Sequence, residues 1–203
     1  MMQAVRAVPP SHAAAGELDL SRKGPAVGML IAGLVLLLPL CWLLLVFVER
    51  LRPDAGWPGS LVVWASSTEF IVVVTVATVG AVLVHEAIHG ICFWRVTRDR
   101  PRFGLSGLSA YAAAPDWYIP LGRYAVIGLA PVAVITSAML AAMLVLPPTA
   151  IGAAGVALVL NGVGSIGDLF AVWWLLRFRS AGSLVCDRGT TIDVYQLAAA
   201  PER

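Results

Sequence analysis

Two histidines and a glutamate stand close together in the run Val84-His85-Glu86-Ala87-Ile88-His89-Gly90. On an α-helix, residues four apart share a face, so His85 and His89 can offer two imidazoles to one metal ion. Glu86 projects about 100° around the axis from His85. There its carboxylate can take a proton from a metal-bound water without being a ligand itself. Two His ligands, a third ligand from elsewhere and a Glu acting as base are the parts of a zinc hydrolase site. In a soluble protein the same pattern could be an ordinary solvated helix face. Here the residues from 72 to 84 are almost all apolar, and an ionisable side chain inside a membrane span costs roughly 2.5–3.5 kcal/mol on insertion scales. That cost weighs against a chance match.

The elements that must position these residues are membrane spans. Of the 203 residues, 59% are hydrophobic and only 13% charged, against about 25% charged in a soluble globular protein. The composition predicts an integral membrane protein of the all-α class, with about four transmembrane helices. The spans are read at Val27–Val48, from Leu61 or Phe70 to Trp94, at Tyr124–Leu146 and at Ile151–Phe178. The first is too long for a signal-peptide core and long enough to cross a bilayer, which takes about 20 residues. Gly56, Pro58 and Gly59 suggest a turn before the second span, with Trp57 and Trp64 in an interfacial belt. Between spans two and three, Phe103–Tyr118 is too weakly apolar to cross. It suits a short extended segment or hairpin anchored at the interface by Trp117 and Tyr118. The chain thus divides into a mobile cytoplasmic tail (1–24), a four-span membrane domain (25–179) and a cytoplasmic C-terminal tail (180–203), in which Thr190–Leu197 could form a strand. Three cysteines at wide spacing imply no disulfide framework.

Orientation follows from the basic residues. Twelve of the fourteen Lys and Arg fall in the N-terminal tail, the 95–123 segment and the C-terminal tail; only Arg50 and Arg52 fall on the other side. The positive-inside rule then puts both termini in the cytoplasm of a multi-pass plasma-membrane protein. With basic residues serving as membrane flanks, the net charge of +2 gives no reason to expect a nucleic-acid partner. The bilayer is the expected surrounding.

In this topology spans two and four run in the same direction, and depth can be compared. His89 lies six residues before Arg95, His85 ten before it, and Asp168 nine before Arg177. At 1.5 Å per residue these are depths of about 9, 15 and 14 Å. Asp168 is therefore the expected third ligand, giving a site of two histidines and one carboxylate with water in the fourth position. Cys92 is the rival, seven residues after His85 and so on nearly the same face. Three ligands along one straight helix would, however, stretch over about 10 Å. Asn161, two turns before Asp168, is a candidate for binding substrate or for an interhelical hydrogen bond. Tyr111 is a candidate for a substrate hydrogen bond or an interfacial aromatic. The intervening Asn161-Gly162-Val163-Gly164-Ser165-Ile166-Gly167-Asp168 suggests close packing or irregular backbone beside a cavity.

Three stretches carry a family resemblance: His85-Glu86-Ala87-Ile88-His89-Gly90, Ala110-Tyr111-Ala112-Ala113-Ala114-Pro115, and Asn161-Gly-x-Gly-Ser-x-Gly-Asp168. Together they resemble a bacterial zincin-peptidase domain of unknown function, which is similar to the site-2 proteases, intramembrane zinc metalloproteases. The resemblance covers roughly residues 70–178. It implies Zn2+ held by His85, His89 and Asp168, Glu86 as general base, and a membrane-associated protein or peptide as substrate. Two other classes compete. A non-enzymatic membrane protein, with a structural metal or with catalysis lost, would not need Glu86. A transporter would also carry intramembrane ionisable residues, but no pair of broken repeats is found.

Overall fold

The computed structural model describes residues 3–55, 68–106 and 109–198. Helices are α1 (Lys23–Leu51), α2 (Thr68–Thr97), α3 (Leu121–Val145), α4 (Pro148–Gly164) and α5 (Ile166–Leu175), the last followed by a single 3-10 turn at Leu176–Phe178. Strands are β1 (His12–Asp19), β2 (Arg102–Ser106), β3 (Ser109–Ala113), β4 (Tyr118–Pro120), β5 (Leu184–Asp187) and β6 (Thr191–Leu197). Four helical stretches are long and apolar enough to cross a membrane: Lys23–Leu51, Phe70–Thr97, Leu121–Val145 and Ala150–Phe178. The shortest has 25 residues, about 38 Å of helix against a hydrocarbon core of about 30 Å. Their outward faces are apolar. Leu38 is 75% exposed, Val76 66% and Leu83 65%, a surface suited to lipid rather than water. The turn expected at Gly56, Pro58 and Gly59, together with Trp57 and Trp64, lies outside the described residues.

The chain falls into two compact units. One gathers Met1–Met29, Glu86–Ala130 and Gly167–Arg203. Its framework is a four-stranded antiparallel sheet in the order β1-β6-β5-β4. The β1–β6 register runs from His12 opposite Leu197 to Asp19 opposite Thr191. All four residues of β5 are buried. The sheet's inner side chains Leu18, Ile119, Val185, Ile192 and Val194 share one core with Phe93 of α2, Tyr124 and Ile127 of α3, and Ala171 and Leu175 of α5. A separate hairpin pairs β2 with β3, from Arg102 opposite Ala113 to Ser106 opposite Ser109.

The other unit gathers Leu30–His85 and Pro131–Ile166. Leu44 and Val48 of α1 pack with Met143 of α3 and with Ile151, Ala154 and Val159 of α4. Leu44 sits over Gly155 and Leu40 over Gly162, where a Cβ would push the leucine methyl aside. The helices approach closely because these positions are glycine. Arg52 closes the end of α3: its guanidinium donates to the carbonyls of Met143 and Leu146, each at 2.8 Å, and pairs with Asp54 at 2.8 Å. Those carbonyls belong to the last helical turn and its exit, which have no partner further along the helix.

Two sequence expectations need correction. The fold is not purely all-α: beyond the hairpin expected between spans two and three, it carries a four-stranded sheet. The segment read as a mobile N-terminal tail contains β1. Both differences have one cause. The partner of β1 is β6, at the opposite end of the sequence, and β1 itself does not alternate strongly enough to announce the pairing. The expected strand near Thr190–Leu197 is present as β6.

Candidate metal centre

Helix α2 presents the histidines, and it does so without interruption from Thr68 to Thr97. His89 is buried. Its Nδ1 lies 3.1 Å from the carbonyl oxygen of Ile127 in α3. A carbonyl can only accept, so this contact places the ring proton on Nδ1 and leaves Nε2 as a lone-pair donor. His89 Nε2 lies 3.4 Å from Asp168 Oδ1. Asp168 is in the first turn of α5, where the positive end of the helix dipole favours a carboxylate.

His85 is one helical turn before His89. Its Nδ1 lies 3.4 Å from Oδ1 of Asn161, again turning the other ring nitrogen away as a donor. Asn161 is buried, and its Nδ2 finds no hydrogen-bond partner among the described residues. Asn161 also anchors the break between α4 and α5: the Ser165 N–H and hydroxyl both donate to its carbonyl, at 2.9 and 2.7 Å. The irregular backbone expected in the glycine-rich stretch is thus one residue wide.

One ligand atom from each of His85, His89 and Asp168 lies within 4.8 Å of the others. Among the described residues no other group of His, Cys, Asp and Glu shares this arrangement. The donors suit zinc, which takes imidazole nitrogen and carboxylate oxygen at about 2.0–2.2 Å in a tetrahedral set. Two such ligands on one ion stand about 3.3–3.4 Å apart, which is the His89–Asp168 separation. Glu86, half-buried, is not in the donor group. Nor is Cys92, the rival third ligand, which packs partly buried against the core built on Phe93 and Tyr124.

The hairpin closes on α2 beside the motif. The Phe103 ring lies over Gly90, immediately after His89, and any Cβ there would overlap it. Tyr111 has its ring against Gly104 and Gly189. Gly189 has φ +97°, a conformation that a residue with a side chain adopts only at a cost. Trp117, expected at the membrane interface, donates its indole N–H to Asp99 at 3.2 Å and lies under Arg6.

One buried pair escaped sequence reasoning. Tyr124, in the first turn of α3, donates its hydroxyl to Asp187 at the end of β5, at 2.7 Å. Gly189 N–H donates to the same carboxylate at 2.7 Å. Burial pushes the Asp187 carboxyl up to about 6, against the pull of these two hydrogen bonds. The partners are 63 residues apart, and no local pattern joins them.

Residues 78–183 match the family described as "Putative zincin peptidase". The chain belongs to this family. The match covers more than half of the 203 residues and spans both histidines, Glu86, Asn161 and Asp168. Membership implies a metallopeptidase class with zinc as the metal. No curated protein and no solved structure matches the chain. Strands β1, β5 and β6 lie outside the matched region.

Proposed function

We propose that this zincin-family protein is an intramembrane zinc metallopeptidase that hydrolyses peptide bonds of a membrane-associated protein. The observation that carries the reading is the convergence of His85, His89 and Asp168 donor atoms within 4.8 Å, on helices long and apolar enough to cross a membrane. The presence of Glu86 next to His85 favours an enzyme over a purely structural metal site.

In this reading His85, His89 and Asp168 hold the ion. Bound zinc lowers the pKa of a coordinated water towards about 7 and polarises a carbonyl. Glu86 accepts a proton at its carboxylate from the attacking water and returns it to the departing amine nitrogen. Asn161 Oδ1 steadies the His85 ring, and its buried Nδ2–H group is available to a substrate carbonyl. The water needed for hydrolysis comes from the side where the hairpin and the four-stranded sheet gather. On the count of basic residues that side is the cytoplasm of a plasma-membrane protein. The apolar helix faces favour a substrate that is itself in the bilayer.

Glu86→Gln tests the catalytic role. The amide is nearly isosteric, cannot take the proton and removes no ligand, so zinc content and folding should be unchanged. General acid–base groups contribute about 10²–10⁴-fold, and substrate cleavage should fall at least a hundredfold. Membrane-protein fragments from cells carrying wild type and Glu86→Gln supply the readout. Identical fragments in both, with zinc retained in the variant, would contradict the protease reading.

A further inference from the structure

In an α-helix each carbonyl accepts a hydrogen bond from the N–H four residues later. Ile127 and Pro131 stand in that relation within α3, and proline has no N–H to give. The Ile127 oxygen therefore loses its helical partner, in a side-chain environment where Ile127 is 2% exposed and Pro131 lies fully buried. The group that takes the oxygen is His89 Nδ1, at 3.1 Å. We infer that Pro131 is a positioning residue for the metal ligand His89, because it withholds from the helix a carbonyl that orients the His89 ring. The inference rests on the reading of His85, His89 and Asp168 as a metal site.

Its physical basis is competition for an acceptor. With an N–H at position 131, the Ile127 oxygen would be engaged along the helix axis. The His89 N–H would then have to share it or turn away. With proline there, the oxygen is open on the side facing α2, and the hydrogen bond fixes both the ring's rotation and its tautomer. Such outer partners set the basicity of a metal-bound histidine as well as its direction. Pro39 in α1 supplies the internal comparison. It too interrupts a long apolar helix, releasing the carbonyl of Val35, which lies far along the sequence from His85, His89 and Asp168.

The test uses the full chain in detergent, with zinc affinity read by competition against a chromophoric chelator and ligand geometry read from the Co2+ spectrum. Pro131→Ala restores the N–H. Zinc affinity should fall about 10- to 100-fold, the usual effect of losing a ligand's outer partner, and the Co2+ bands should shift. Pro39→Ala should leave both unchanged. A purely structural role for Pro131 would lower the unfolding midpoint of the metal-free protein without moving the spectrum. Wild-type affinity and bands in a folded Pro131→Ala would overturn the inference alone. Wild type that takes up no zinc would overturn the metal reading and this inference with it. Should Pro131→Ala not fold, 15N NMR of the wild-type metal-free histidines decides. His89, identified by loss of its signals in His89→Gln, should carry its proton on Nδ1, and a ring protonated only on Nε2 overturns the inference.

Discussion

At the scale of residues, the candidate donors were legible because helical spacing and membrane depth are both arithmetic on the sequence. His85 and His89 share a face by spacing, and Asp168 reaches their level by its distance from Arg177. The structure brings donor atoms of these three side chains within 4.8 Å of one another, and Cys92 is not in that group. The groups that orient them were not legible. Pro131 stood in plain view, but the carbonyl it frees becomes meaningful only when α2 lies beside it. Asp187, bonded to Tyr124 and Gly189, was not legible either. Its unfolded carboxyl ionises near 3.8 and its folded one near 6, so between these values the folded state holds more protons. Stability must therefore fall as pH rises from about 4 to 6, and stay lower above, by about 3 kcal/mol at most. Asp187→Asn removes this loss while keeping an oxygen for the Gly189 N–H. In unfolding measurements across pH 4–7, the variant should gain on wild type as pH rises. A gap moving the other way would show that the carboxylate is stabilised in its charged form.

At the scale of elements, the long helices were readable from hydropathy and the hairpin from its weak apolarity between two spans. Strands β1, β4 and β5 were not. β5 has four residues, all buried, and reads as a brief apolar run after the last span. β1 follows no strict alternation, with a register shift between Ala14 and Gly16 and the Phe178 ring covering Gly16. What makes β1 a strand is Leu18, buried with Ile192 and Val194. Leu18→Ala should therefore destabilise the protein by about 2 kcal/mol or more, as buried Leu truncations do, measured by thermal or chemical unfolding in detergent. A substitution without effect would return residues 12–19 to the role of a tail.

At the scale of the molecule, the β1–β6 ladder ties the two ends of the chain into one sheet. A sheet shared by both ends is compatible with an even number of crossings by the four apolar stretches. The positive-inside rule predicts the cytoplasm for both ends: a reporter fused after Arg203 should be active only inside, and activity only outside would reverse the proposed orientation. The histidines and Glu86 are carried by α2 and Asp168 by α5, on stretches long and apolar enough to cross a membrane. On the proposed function, this protein holds one metal ion on His85, His89 and Asp168. Elemental analysis of the purified full chain tests it most directly, with Asp168→Ala and Cys92→Ala measured alongside. About one zinc per chain in wild type and in Cys92→Ala is expected from a single three-ligand site, with most of it lost in Asp168→Ala. Zinc retained in Asp168→Ala and lost in Cys92→Ala would contradict a site built on Asp168.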